Sequence, residues 1–283
     1  AASDVYKRQD KDSLLSRANS LSQLTAGAMD CDDIFKMLET HYQDLTLAKT
    51  YGNVVLWFDA CLCDQSMLAH ILVCLNHIGV QRVELICIDS FPGIEPFNGL
   101  GQLLPSQIAS LYPERVQVSR EQFKYARTVD NAFAAQDALL FTELAQQKDA
   151  PLEFVPAAVA RWLQERPDPK TGLGRLEYLE LKAVAGGNEI PGEIFSSVAE
   201  ADESPQFWGD TDLWRKINAL AEREPPLLQI TGPAEKLPQG MVSIKLTHFR
   251  IKILSTGREL LEVIARRPEN LENNVSCRSE NSP

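Results

Sequence analysis

Two short apolar runs decide most of what this chain can become. Val54, Val55, Leu56, Trp57 and Phe58 follow one another without a polar break, between the turn residues Gly52 and Asn53 and the acid Asp59. Residues 82–89 carry a second run, with Val83, Leu85, Ile86 and Ile88 as its apolar members and Asp89 at its end. Continuous apolarity without alternation suits strands buried on both faces, as in a parallel sheet. Between the runs, residues 65–77 read as a helix, with Asp64 as its cap and Gly79 as its stop. Strand, helix, strand within roughly 35 residues is a βαβ unit, and its crossover is expected to be right-handed.

The flanks extend this unit. Residues 30–51 place Ile34, Met37, Leu38 and Tyr42 at helical spacing, with Asp32 or Asp33 as the cap. After the second strand comes the loop SFPGIEPFNGLGQLL, rich in Gly and Pro. A short helix over 105–111 follows, then a longer helical region over 119–147. Ser119 and Gln122 give that region a capping-box start. Residues 155–166 form a further amphipathic helix, and RPDPKTGLG over 166–174 has the composition of a linker.

Beyond it, helices are expected over 173–185, 191–201 and 210–223, and short strands over 227–230 and 241–246, with more helical pattern to residue 264. Three helices and a hairpin make a winged-helix outline. The expected fold class is therefore α/β: a partial Rossmann-like parallel βαβ half, a helical linker region, and a winged-helix-like α+β half. The expected domains are a lead over 1–29, an α/β domain over 30–166, a winged-helix-like domain over 167–264 and a polar disordered tail over 265–283. The opening AASDVYKRQ reads as a translated sequencing adapter rather than as part of the fold.

Charge narrows the function classes. The net charge is −11 at pH 7, with a pI near 4.9. Broad binding to nucleic acid or to an anionic membrane is disfavoured, while a local basic face stays open. No apolar run reaches the about 20 residues that span a bilayer; the longest candidate, 67–80, is interrupted by His70, Asn76 and His77. Nothing at the start reads as a signal peptide, so a cytoplasmic location is expected. The six cysteines lack both a disulfide framework and paired zinc-ligand spacing; only Cys61 and Cys63 form a CxC.

The motifs LWFDACLCDQ and ELICIDSFPGIEPFNGLGQL resemble the two signature blocks of the bacterial DUF1835 domain family, a domain of unknown function. GLGRLEYLELKAV and FWGDTDLWRKINAL resemble its C-terminal companion domain, so the likeness covers about residues 51–254. The resemblance implies an additional N-terminal strand and helix, so that the N-terminus here is expected to be truncated. It also implies Glu, His and Asp where this chain has Asp59, Ala60 and Cys61, while Asp64 and Gln65 match. It brings no established activity.

Ligands of open α/β sheets bind beyond the carboxyl ends of the strands. There the sequence offers Asp59, Asp64, Gln65 and Asp89, with Gly93, Gly99 and Gly101 in the following loop. Such carboxylates suit a divalent metal such as Mg²⁺, or acid and base roles; equally, Asp64 suits a helix cap and the glycines a turn. Cys63 and His70 form a nucleophile pair only if a third group orients the histidine. In the C-terminal half Asp210 is the expected cap, and Arg215 and Lys216 lie partly outward, toward phosphates or acids. Two readings result: an enzyme or small-ligand or metal-binding protein with its site at the strand ends, or a regulatory protein whose winged-helix-like half contacts DNA, a protein partner or a second copy.

Overall fold

The computed structural model describes residues 10–24, 29–203, 206–240 and 245–266. The chain divides into two compact units, Ala1–Leu163 with Glu203–Phe207, and Gln164–Asp202 with Trp208–Pro283. The boundary falls a few residues before the expected linker.

The first unit opens with α1 (Lys11–Leu24) and α2 (Cys31–Leu47). Residues 11–24 were expected in the lead; they are helical because Leu14 and Ala18 bury against Ile34 and Leu38 of α2. The cap of α2 is Asp30, whose Oδ1 accepts from Asp32 N at 2.8 Å, and not Asp32 or Asp33. The adapter-like residues 1–9 lie outside the described residues.

β1 (Val54–Asp59) leads through α3 (Leu62–Ile78) to β2 (Val83–Ile88), and the two strands pair in parallel with Asp59 opposite Ile88. A two-residue strand β3 (Val116–Gln117) adds antiparallel to β2, giving the order β1-β2-β3. Around the sheet lie α4 (Pro105–Leu111), α5 (Arg120–Ala135), α6 (Ala138–Ala145) and α7 (Val155–Leu163). The helical region expected over 119–147 is two helices. Gln136 takes a left-handed φ of 51°, and Asp137 caps the restart through Leu139 N at 2.9 Å. Its capping box is present, with Gln122 N to Ser119 Oγ at 3.1 Å and Ser119 N to Gln122 Oε1 at 2.8 Å.

Strand parity assigns each face of the sheet its cover. Leu56, Phe58, Val83, Leu85 and Cys87 face the core built by α3, α5, α6 and α7. Val55, Trp57, Ile86 and Ile88 face a second core closed by the Gly- and Pro-rich loop, through Phe97 and Leu103, and by Leu111. Both faces are covered, which is why neither strand alternates in sequence.

The second unit contains α8 (Arg175–Ala185), α9 (Pro191–Ala201), α10 (Asp210–Glu222), β4 (Leu228–Thr231), β5 (Arg250–Ile253) and α11 (Ser255–Ala265). The linker-like stretch is folded on Asp168, whose Oδ1 accepts from Lys170 N at 3.0 Å and from Thr171 N at 2.8 Å. β4 pairs antiparallel with β5, a strand placed later than the expected 241–246; of that expected strand, 241–244 lie outside the described residues, as does the tail 267–283. Ile251 N also donates to Glu189 O at 2.8 Å, tying the turn between α8 and α9 to the hairpin.

Among the described residues no helix is long and apolar enough to cross a membrane.

Candidate functional site at the carboxyl end of the first strand

The strand β1 ends where α3 begins, and that junction concentrates polar groups. Val54 N donates to Arg82 O and Ala60 N to Ile88 O, so alternate residues of β1 bond to β2 while the odd ones turn their backbone to the free edge. Asp59 is the last of these. Its N–H donates to Asp64 Oδ2 at 2.7 Å, and its carbonyl accepts from Gln65 Nε2 at 2.6 Å. Asp64 is therefore not the cap of α3. The cap is Cys61, whose Sγ accepts weakly from Asp64 N at 3.5 Å. Cys61 N in turn donates to Asp59 Oδ1 at 2.9 Å.

This weave places a carboxylate oxygen of Asp59, the sulfur of Cys61 and a carboxylate oxygen of Asp64 within 4.8 Å of one another. Asp59 and Cys61 are buried and Asp64 is half-buried. Burial pushes the Asp64 carboxyl above its ordinary range, and the Asp59 charge adds to this against the opposing Asp59 N–H bond. Burial likewise pushes the Cys61 thiol well up, with the charges of Asp59 and Asp64 adding. Both groups hold their protons more tightly than in water, chiefly because burial disfavours their charged forms.

Of the three loop glycines only Gly99 closes on this cluster. Its φ is +129°, and a Cβ there would lie 2.5 Å from Asp59 Oδ2. Gly93, at φ +81°, shapes the turn joining Phe91 to Ile94. Gly101 sits in the single 3-10 turn Leu100–Gln102 and faces open space.

Asp89 does not join the cluster, and parity explains why. Asp59 opposes Ile88, so Asp89 continues the opposite set of positions and faces the helices. It is exposed, accepts from Ser90 Oγ at 2.9 Å, and lines a cavity of about 210 Å³ together with Ala60, Ala157, Phe207 and the buried Arg161. The structure thus brings Asp59, Asp64 and Gln65 together, leaves Asp89 outside their cluster, and adds Cys61, which the sequence set aside for want of paired zinc-ligand spacing. The CxC directly after a strand end was the signal for Cys61.

His70 has the third group that the sequence did not supply, but it does not serve Cys63. Its Nδ1 meets Asp130 Oδ1 at 3.0 Å, and its Nε2 meets Tyr42 Oη at 2.8 Å. Burial pulls the imidazole pKa down; the Asp130 bond, with Cys74 and Tyr42, outweighs this and holds it up at about 11. Cys63 Sγ instead lies 3.4 Å from Phe207 O.

In the second unit the cap of α10 is Gly209, whose N–H donates to Asp212 Oδ2 at 3.1 Å; Asp210 is the first helical residue. Arg215 pairs with Asp212 at 3.5 Å. Lys216 is turned inward, 3.1 Å from Glu165 and 3.8 Å from Glu177. Arg215 thus stays on the exposed face beside an acid, and only Lys216 is withdrawn from solvent.

Comparison with protein-family models finds no match, and comparisons with curated proteins and with solved structures find none either.

Proposed function

We propose that the first unit binds a divalent cation at the end of β1, with Asp59, Cys61 and Asp64 as ligands. The observation that carries this reading is the mutual approach of their three ligand atoms within 4.8 Å. A thiolate beside two carboxylates suits Zn²⁺ or a similar borderline ion better than the Mg²⁺ considered from sequence, because Mg²⁺ takes oxygen ligands. Three protein ligands leave a fourth position for water or substrate, the arrangement of catalytic rather than structural zinc. Binding displaces the proton of the Cys61 thiol, so affinity rises with pH. Gln65 holds the strand end in place without ligating. The test is a thermal-shift series with Zn²⁺, Mn²⁺ and Mg²⁺. A ligand present at about 100 times its Kd stabilises by about 2.7 kcal/mol, and this stabilisation is lost in Cys61→Ser and reduced in Asp64→Asn.

For the second unit, the order of three helices, hairpin and closing helix, with Glu189 bonded to β5, supports a winged-helix reading. The inward Lys216 and the Asp212-paired Arg215 favour a protein contact over duplex DNA. Duplex DNA binding that weakens with salt and is lost on changing Arg215 and Lys216 contradicts this.

A further inference from the structure

The other face of the same strand ends holds a second opening. A cavity of about 330 Å³ lies among the first turn of α3, the end of β2, the first turn of α5 and the loop before α7. Leu68, Leu85 and Leu152 form its apolar wall, and Gln65, Gln122 and Glu153 bring its polar groups. That volume and that mixture of apolar wall and few polar groups are those of a small-molecule site.

The polar groups have defined roles. Gln65 is 1% exposed. Both acceptors of its amide nitrogen are set, Asp59 O at 2.6 Å and Cys87 Sγ at 3.3 Å. The amide plane is thereby fixed and Oε1 is turned away from both; among the described residues that oxygen accepts no hydrogen bond. An acceptor in a cavity wall without a protein donor is open to a ligand's N–H in place of water. Gln122 spends its Oε1 on Ser119 N, which leaves its Nε2 as a donor. Glu153 is exposed and close enough for its charge to raise the Cys87 thiol. The lining contains no Lys, Arg or His, so an anion finds no counter-charge.

We propose that this cavity binds a small uncharged or singly cationic organic molecule bearing an amide, amidine or amine. Its N–H donates to Gln65 Oε1, its apolar body lies against Leu68, Leu85 and Leu152, and a cationic end faces Glu153. The inference goes beyond the cation site and needs no metal, since Gln65, Gln122 and Glu153 are none of the three proposed cation ligands.

The experiment is calorimetric titration of the full chain, in the presence of EDTA, with benzamidine, benzamide and benzoate. Benzamidine and benzamide are expected to bind and benzoate not. Glu153→Gln is expected to weaken benzamidine by about threefold, the scale of an exposed charge pair, and to leave benzamide unchanged. Ala150→Trp, which fills the cavity from its loop side, is expected to abolish both. Failure of both donors to bind, benzoate binding as well as benzamidine, or an unchanged benzamidine affinity in Glu153→Gln overturns the proposal. Because EDTA removes divalent ions, none of these outcomes bears on the cation site.

Discussion

Asp64 Oδ2 accepts the backbone N–H of Asp59 at 2.7 Å, so the last free-edge donor of β1 is satisfied by the first turn of the helix that the strand feeds. One side chain thus closes a strand edge, lies near the positive end of a helix, and offers a second oxygen to the Cys61 and Asp59 cluster. Asp64→Asn keeps an acceptor for the Asp59 N–H, whereas Asp64→Ala leaves a buried donor unmet. Asp64→Ala is expected to lose about 1–3 kcal/mol, and Asp64→Asn clearly less, as read from urea unfolding. Equal losses contradict the edge-closing role.

Gly99 is expected to resist substitution for two reasons acting together. Its φ of +129° strains any side chain, and the new Cβ would meet Asp59 Oδ2. Gly99→Ala is expected to cost about 1–3 kcal/mol and to disturb cation binding through Asp59. Gly101→Ala, which meets open space, serves as the comparison and is expected to leave cation binding unchanged.

The His70–Asp130 pair gives stability a dependence on pH in the alkaline range. The folded pKa, about 11, lies above the ordinary value of 6.5. The contribution is therefore full below about pH 6.5 and is lost as pH rises toward 11. Urea midpoints are expected to fall between pH 6.5 and 10, with a shallower fall in Asp130→Asn. An unchanged slope in that variant contradicts the pairing.

Much of the first unit is legible because its signals are local. The runs Val54–Asp59 and Val83–Ile88 name themselves as strands, and Ser119 with Gln122 announces α5. What parity does to those strand ends is not local. Asp59 and Asp89 occupy the same place in each motif, yet a one-residue offset in register sends them to opposite faces. Caps fail for a related reason. Asp64 and Asp210 have the right chemistry, but the chain turns at Cys61 and Gly209; Asp64 accepts from Asp59 N and Asp210 from Thr211 N. The helix Lys11–Leu24 was missed because its polar composition hides a narrow apolar stripe, Leu14 and Ala18, that only packing against α2 reveals. Likewise the donor-poor amide of Gln65 becomes visible only once its two acceptors are in place.

In the second unit, Glu180 is fully buried, and among the described residues neither of its carboxylate oxygens has a hydrogen-bond partner. Burial raises its pKa well above 4.5, while Lys216 pulls it down and Glu177 and Glu165 push it up. The unfolded chain ionises this group first, so stability falls as pH rises above 4.5. Glu180→Gln is expected to raise stability by roughly 1–3 kcal/mol at pH 8 and by little at pH 4. A loss at pH 8 would show that the charged form has a partner.

The cation site is tested most directly by titrating Zn²⁺ into the full chain in a Cys63→Ser background, which removes the exposed thiol nearest the cluster in sequence. One equivalent is expected to bind with proton release, more tightly at pH 8 than at pH 6. That binding is expected to be lost in Cys61→Ser and weakened in Asp64→Asn, with both variants folded. Zn²⁺ binding unchanged by Cys61→Ser, or no binding by the parent, would contradict the assignment and leave Asp59, Cys61 and Asp64 as the closure of a strand edge.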